Sequence, residues 1–310
     1  MKLLSGFDDP PAYRGGFVSI GNFDGVHRGH QSIIDRLLWH ARDAKVPAVV
    51  VTFNPHPITI LRPELAPPAL ATFERKIELL AACGVDCVIA YPTDLAFLQL
   101  TPDEFFHKIV MHEIAARGLV EGPNFFYGHD RAGNSQTLRA SCDAEGLYLE
   151  IVPPIRVADN LVSSSAVRRW IAAGNVSAAA EMLGYSYQVA GRVTRGAERG
   201  RTIGFPTANL SEVHALLPAN GVYAGFAKAL GTWFPAAINL GPNPTFDEHR
   251  QKLEVHLLDF AADVYGERLD IEFVSRIRDT VRFGSREQLI EQLQRDVAAV
   301  RSLANSKPHS

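Results

Sequence analysis

The hydrophobic rhythm of this chain changes once, near residues 184–187, and that change limits the fold more than any other feature. Before it, short β-rich runs alternate with helical patterns. "FVSIGNF" is followed by "HQSIIDRLLWHARDA", which sets Ile33, Ile34, Leu37, Leu38 and Ala41 on one face, and then by "PAVVVTF". The alternation continues through the helix "TFERKIELLAACG", the strand "VDCVIAY", the helix "TPDEFFHKIVMHEIAARG", the short strand "LVEG" and a strand around "LYLEIVPP". Such alternation predicts a parallel sheet with helices on both faces. After two short helical segments, "SSSAVRRWIAAG" and "VSAAAEMLG", the pattern turns to strands broken by Gly and Pro: "YQVAGRVTRG", "TANL", "GVYAGFAKAL", "WFPAAINLG", "KLEVHLLDF" and "RLDIEFVSRIR". These predict a small β-barrel or sandwich. A helix, "SREQLIEQLQRDVAAVRSLA", closes the chain, with Ser285 as N-cap and Gln288 three residues on. The predicted domains are 1–185 and 186–310.

At 310 residues there is room for two cores, and with 46% apolar and 21% charged residues the composition is that of a globular protein. A net charge of −3 argues against a general nucleic-acid or membrane-surface binder, which needs an excess of Lys and Arg. The opening "MKLLSGFDDPPAYRGG" lacks the apolar core of a secretory signal and nothing approaches eighteen consecutive apolar residues, so a cytoplasmic protein is expected. Cys83, Cys87 and Cys142 are odd in number and lack metal-ligand spacing, so they read as buried or incidental thiols. Nothing in the sequence sets an oligomeric state.

The stretch "GNFDGVHRGH" (Gly21 to His30) falls where the first strong strand gives way to a helix, and "TFNPHP" follows the next strand. Ligands of open parallel sheets bind at such carboxyl ends. Gly21 and Gly25 allow a tight turn, and a helix starting near Gly29 presents unpaired N–H groups and its positive dipole end to an anion. His27 and His30 add imidazoles suited to a phosphorus centre that gains charge. Spacing alone leaves a surface pair or half a metal site open. In "SSSAVRR" the serines suit a helix cap and Arg168 suits a bidentate phosphate contact, against the plainer reading of a capped helix with a solvated arginine. Glu254 lies on the more polar face of an alternating strand, while His56, His249 and His256 are too scattered to predict a metal cage. The arginines of "RVTRGAERGR" lack interleaved aromatics, so they flank a nucleotide phosphate or face water rather than read nucleic acid.

These residues resemble a known family. "GNFDGVHRGH" is similar to the signature of nucleotidyltransferases with a His-x-x-His pair, and in this extended form to the adenylyltransferase half of the bacterial bifunctional riboflavin kinase/FAD synthetases. "TFNPHP", "GPNFFYGHDRAGN" and "VSSSAVRRWIAAG" resemble that half's later motifs in order; "RTIGFPTANL", "NGVYAG", "NLGPNPTF", "LEVHLLDF" and "VYGERLDIEF" resemble the kinase module. The resemblance covers nearly the whole chain. It implies a Rossmann-like α/β nucleotidyltransferase domain followed by a small antiparallel β-barrel domain with a C-terminal helix. The implied reactions are phosphorylation of riboflavin by ATP to FMN, then transfer of AMP from ATP to FMN, giving FAD and pyrophosphate. Riboflavin, FMN and ATP are the implied partners, with no nucleic acid or membrane. By the same resemblance His27 and His30 contact the ATP phosphates within a motif that includes Gly21, Phe23, Asp24 and Gly29. Asp24, Asn54 and His56 fall near the nucleotide or flavin phosphate, Asn124 on the flavin side, and Ser163, Ser164 and Arg168 beside the triphosphate. In the kinase half, Gly200 and Gly204 let the backbone approach phosphate, Thr207 and Asn209 offer oxygens to Mg2+, and Glu254 takes the place of the general base.

The pattern departs from the family in places. Asn124, Phe126 and His129 stand where an acid, an arginine and a lysine are common, and Asn243 and Thr280 replace an arginine and an acid in the second half. The first three motivate an alternative: a monofunctional riboflavin kinase whose first domain only binds nucleotide or flavin.

Overall fold

The structure is a computed structural model and describes residues 1–196, 200, 203–243 and 248–306. It divides into two compact units, Met1–Pro68 with Thr72–Ser163 and Ala69–Ala71 with Ser164–Ser310.

In the first unit the elements run β1 (Lys2–Leu4), β2 (Phe17–Ile20), α1 (Arg28–Ala44), β3 (Ala48–Asn54), α2 (Pro57–Leu61), α3 (Phe73–Ala82), β4 (Cys87–Pro92), α4 (Leu95–Leu98), α5 (Pro102–Phe105), a π-helix (Phe106–Glu113), β5 (Gly118–Glu121), α6 (Ser135–Glu145), β6 (Tyr148–Ile151) and the short pair β7 (Arg156–Val157) and β8 (Asn160–Leu161). Six strands form one sheet in the order β1-β4-β3-β2-β5-β6, every pairing parallel. From β2 the chain steps outward to β3 and β4, then returns to β5 and β6 on the other side. The order therefore reverses between β2 and β5, which opens a crevice above their carboxyl ends. Ala48 to Thr52 of β3 are all buried, as a strand covered on both faces requires. Val18, Val49, Ile89 and Leu119 pack there with Phe106 and Ile109.

The helix expected over "TPDEFFHKIVMHEIAARG" is wound differently. A capping box at Thr101 and Glu104 opens one α-turn, after which the chain widens to a π-helix over Phe106–Glu113. Ile114 N–H donates to Ile109 O at 3.0 Å, five residues back. The wider winding brings Phe106, Ile109, Val110 and Ile114 into one core together. Cys87 and Cys142 are buried free thiols, and burial pushes both up to about 11.

The second unit begins with α7 (Ser164–Ala172) and α8 (Val176–Leu183) and continues through β9 (Tyr187–Thr194), β10 (Ala208–Ser211), β11 (Gly221–Ala229), β12 (Thr232–Asn243), β13 (Glu248–Leu257) and β14 (Arg268–Arg278) to a C-terminal helix (Arg286–Ser306). Of the two β-architectures open to the sequence, the barrel is realised. Its order is β10-β13-β12-β11-β14-β9, and antiparallel pairing of β10 with β9 closes the ring. Strand β11 is buried along almost its whole length because it is covered twice. Tyr223 and Phe273 meet edge to face, while Ala224 packs under Val300 of the C-terminal helix. That helix is opened by Ser285, whose Oγ accepts from Gln288 N–H at 3.3 Å, while Gln288 Oε1 accepts from Gly284 N–H at 3.1 Å. Of the arginine cluster "RVTRGAERGR", residues 197–199 and 201 lie outside the described residues, as does part of "NPTF".

Candidate active sites

In the first unit the sequence builds its site out of backbone strain. Phe23, Gly25 and Val26 all take positive φ, at 49°, 74° and 34°. For a β-branched residue such as Val26 this is a sterically costly conformation, of the kind held by surrounding structure where geometry serves a function. The turn delivers His27 to the N-cap of α1, so the helix starts at Arg28, one residue before the expected place. His27 Nδ1 accepts from the His30 N–H at 3.3 Å, and the two rings stack at 3.7 Å with 14° between planes. A side chain at Gly29 would press within 3.2 Å of the His27 ring, which explains the glycine. One of the helix N–H groups expected to face an anion is thus used internally. In return the His27 tautomer is set: with Nδ1 accepting, its remaining proton sits on Nε2.

His30 lies beside the buried Phe23 ring, 5.2 Å away. Burial holds its pKa well below the usual histidine range, and the neighbouring His27 and Lys76 push the same way. The ring is therefore neutral at physiological pH. Its Nδ1 is buried and has no hydrogen-bond partner among the described residues. On the adjacent strand end, Thr52 Oγ1 donates to Asn22 O at 3.2 Å, Asn54 is exposed, and His56 caps α2 by accepting from Ile58 N–H at 3.1 Å. The structure thus brings "GNFDGVHRGH" and "TFNPHP" to neighbouring carboxyl ends.

Two residues there escaped the sequence reading. Lys76 of α3 donates to Thr52 Oγ1 at 3.0 Å, Asn22 O at 3.3 Å and Phe53 O at 3.4 Å. Burial lowers its pKa to about 8, against the attraction of Asp24. A signal existed: Lys76 sits three residues after Phe73 and four before the buried Leu80, on a face that should be apolar. Glu121 closes β5 and is buried; its Oε1 accepts from Ile20 N–H at 2.7 Å across the switch point. Burial raises its pKa well above the carboxylate range. Farther along, Asn124 is exposed in the loop after β5, and the Arg131 guanidinium lies 4.5 Å over the Phe126 ring. Ser163 ends the first unit, whereas Ser164 and Arg168 belong to α7 and cluster with the second.

In the second unit, strand register assembles a polar row. Asn209 of β10 and Asn239 of β12 both pair with Glu254 of β13, and Asn239 Nδ2 donates to Glu254 Oε2 at 3.4 Å. Leu253, Val255, Ile238 and Leu240, which alternate with this row, are buried, so Glu254 does lie on the polar face. Asn239 is a further member that the sequence reading missed. Thr207 is exposed just before β10. Gly200 O accepts from Phe205 N–H at 2.8 Å, and a Cβ on Gly200 would lie 2.2 Å from Phe205 O, so only glycine closes this turn. Beyond the turn lies a cleft of about 390 Å³ between Gly204, Phe205, His256, Leu258, Val297 and Arg301. His256 follows Glu254 by two residues on the same face, and its Nδ1 donates to Pro206 O at 2.7 Å. Arg301 and Asp259 form a bidentate pair at the cleft, 2.7 and 2.8 Å.

A parallel sheet with a histidine pair at its switch point, and a closed barrel with a carboxylate between two asparagines, define a two-unit nucleotide-dependent transferase. The comparisons agree. The FAD synthetase family model matches residues 9–166, and the riboflavin kinase family model matches residues 183–304. The bifunctional riboflavin kinase/FMN adenylyltransferase of Escherichia coli (strain K12) is 35% identical, covering 97% of both chains. That of Pseudomonas fluorescens is 36% identical over 100% of both, and that of Bacillus subtilis (strain 168) 33% identical over 93% of this chain and 92% of its own. A solved structure named as a macrolide-efflux protein, from Streptococcus pneumoniae, superposes with a TM-score of 0.85 at 31% identity, covering 96% of this chain and 98% of its own. The chain belongs to the bifunctional riboflavin kinase/FMN adenylyltransferase family, and it is an enzyme with both activities. The monofunctional alternative is thereby set aside: the FAD synthetase match runs through the loop that carries Asn124, Phe126 and His129.

Proposed function

We propose that adenylyl transfer to FMN is carried by His27 and His30, and phosphoryl transfer to riboflavin by Glu254. The observation that carries the first assignment is the neutral His30 at the switch point of the sheet, whose ring Nδ1 has no hydrogen-bond partner among the described residues. An oxygen of the FMN phosphate attacks the α-phosphorus of ATP, and the bond to the pyrophosphate oxygen breaks. Neutral imidazoles donate hydrogen bonds to phosphate oxygens as charge shifts onto the leaving group, His27 through Nε2–H. Gly21, Phe23, Asp24 and Gly29 shape the same turn. Ser163, Ser164 and Arg168 keep their role as triphosphate contacts on motif order, and Asn54, His56 and Asn124 theirs toward the flavin.

In the barrel, Glu254 takes the proton of the terminal ribityl hydroxyl while that oxygen attacks the γ-phosphorus and ADP departs. Asn239 steadies the carboxylate, and the cleft beside Phe205 and His256 takes the adenine end of ATP, with Gly200 and Gly204 at the phosphates. Thr207 and Asn209 fit Mg2+: both are hard oxygen donors at the mouth of a glycine turn, and among the described residues no three His, Cys, Asp or Glu side chains gather into a rival site. When bound there, the ion offsets phosphate charge. The two functions divide along the chain as 1–185 and 186–310. The proposed compartment is the cytoplasm; among the described residues no helix is long and apolar enough to cross a membrane.

A chromatographic time course with riboflavin, ATP and magnesium tests this reading. FMN rising first and FAD following supports it. FMN without FAD would remove His27 and His30 from their role, and the absence of FMN would remove Glu254.

A further inference from the structure

The Gly21–His30 turn is strained, since Phe23 and Val26 hold positive φ. Something outside the turn must keep it in place. Two ties come from β3: Gly21 N–H donates to Val51 O at 2.9 Å, and Thr52 Oγ1 donates to Asn22 O at 3.2 Å. A further tie comes from another element. Lys76 reaches from α3 over the ends of two strands and directs its three N–H bonds at three oxygens: Asn22 O in the turn, and Thr52 Oγ1 and Phe53 O on β3. With all three donors used within the protein, the ammonium is not posed as a free phosphate hook. It bridges turn to sheet.

We propose that Lys76 is a positioning residue for adenylyl transfer, tying the Gly21–Val26 turn to the end of β3 and so fixing His27 and His30 at the start of α1. A neutral side chain of the same length would fill the space beside the Phe73 ring, 5.6 Å from the ammonium, but would supply none of the bonds. The ammonium also faces Asp24, whose charge favours keeping it protonated, and its charge is felt by His30. Burying a cation at this place is costly, and its three oxygens and Asp24 offset that cost. Nothing in the sheet core requires a charge there. The site that uses the turn does.

The inference rests on the first unit being the adenylyltransferase, so FAD formation from FMN by the wild-type enzyme is measured first; its absence would overturn that reading, whatever Lys76 does. The full chain is then compared with Lys76→Met, Lys76→Arg and Thr52→Val. Displacement of reacting groups by about 1 Å lowers turnover by about 10²-fold. For Lys76→Met, kcat for FAD formation is therefore expected to fall about 10²-fold, with KM for ATP changed less than about threefold and riboflavin phosphorylation unaltered. Lys76→Arg restores part of the rate, because it keeps charge and donors. A kcat within about twofold of wild type in a folded Lys76→Met enzyme overturns the proposal. So does a raised KM at constant kcat, which would make Lys76 an ATP-binding group. If Lys76→Met does not fold, Thr52→Val decides, since it loosens the same tether without touching α3: a fall of about tenfold in FAD formation alone supports the proposal, and a wild-type kcat overturns it.

Discussion

Glu254 and His30 are both side chains whose chemistry is set by what surrounds them, in opposite ways. Glu254 is half-buried on a polar strand face with an asparagine donating to it, and is the group proposed to take the ribityl proton. Glu254→Gln keeps the hydrogen-bonding shape but removes proton acceptance. Riboflavin phosphorylation should fall by about 10²–10⁴-fold, read as FMN formed per enzyme. His30 is enclosed and kept neutral. Its folded pKa lies below the ordinary value of 6.5, so between those two values the unfolded chain binds more protons than the folded one. The contribution of His30 to the stability of the first unit should therefore be complete above about 6.5 and fall as pH drops below it. The change in urea midpoint from about pH 7.5 to about pH 5.5, compared between wild type and His30→Asn, isolates that contribution: the wild type should lose more on acidification than the variant.

At the scale of elements, a buried ion pair adds to the apolar packing that holds the C-terminal helix to the barrel. Asp296 is 2% exposed, and Arg278 of β14 donates to it through Nη2 at 2.7 Å and Nε at 3.0 Å. Gln292 Nε2 adds a bond at 2.9 Å from within the helix. Removing the arginine strands a carboxylate that only the amide still supports. Arg278→Met should destabilise the second unit by about 3 kcal/mol, seen as a lowered urea midpoint, while Asp296→Asn in the same background recovers part of the loss. Because Val297 and Arg301 of this helix line the cleft beside Phe205, weakened ATP affinity of the kinase should accompany the loss. The π-helix illustrates a different lesson about elements. Its sequence has good α-helical periodicity through Phe105, Phe106, Ile109 and Val110, yet the core also takes Ile114, five residues beyond Ile109, and the winding follows the core.

For the whole molecule, His27 and His30 lie in one unit and Glu254 in the other, so the two activities should separate by mutation. His30→Ala should abolish FAD formation and leave riboflavin phosphorylation within about twofold, while Glu254→Gln should do the reverse when FMN is supplied; loss of both activities in either folded variant would refute separate sites. Much of this plan is legible in the sequence. Alternating β and α patterns dictated the parallel sheet, the strand-to-helix position of "GNFDGVHRGH" placed His27 and His30 at a carboxyl end, and period-two alternation put Glu254 on the polar face of its strand. These follow from local chemistry, since periodicity states which face a residue occupies. It does not state who stands opposite. Lys76 meets oxygens 54, 24 and 23 positions away, Glu121 meets a backbone N–H 101 positions away, and Asn239 meets Glu254 only through the pairing register of β12 with β13. The closure of the barrel, as against a sandwich, likewise rests on three residue pairs between β9 and β10. The sequence by itself determined the kind of each element and the residue types at its ends. The tertiary structure alone decided their partners, because packing joins segments that no local pattern relates.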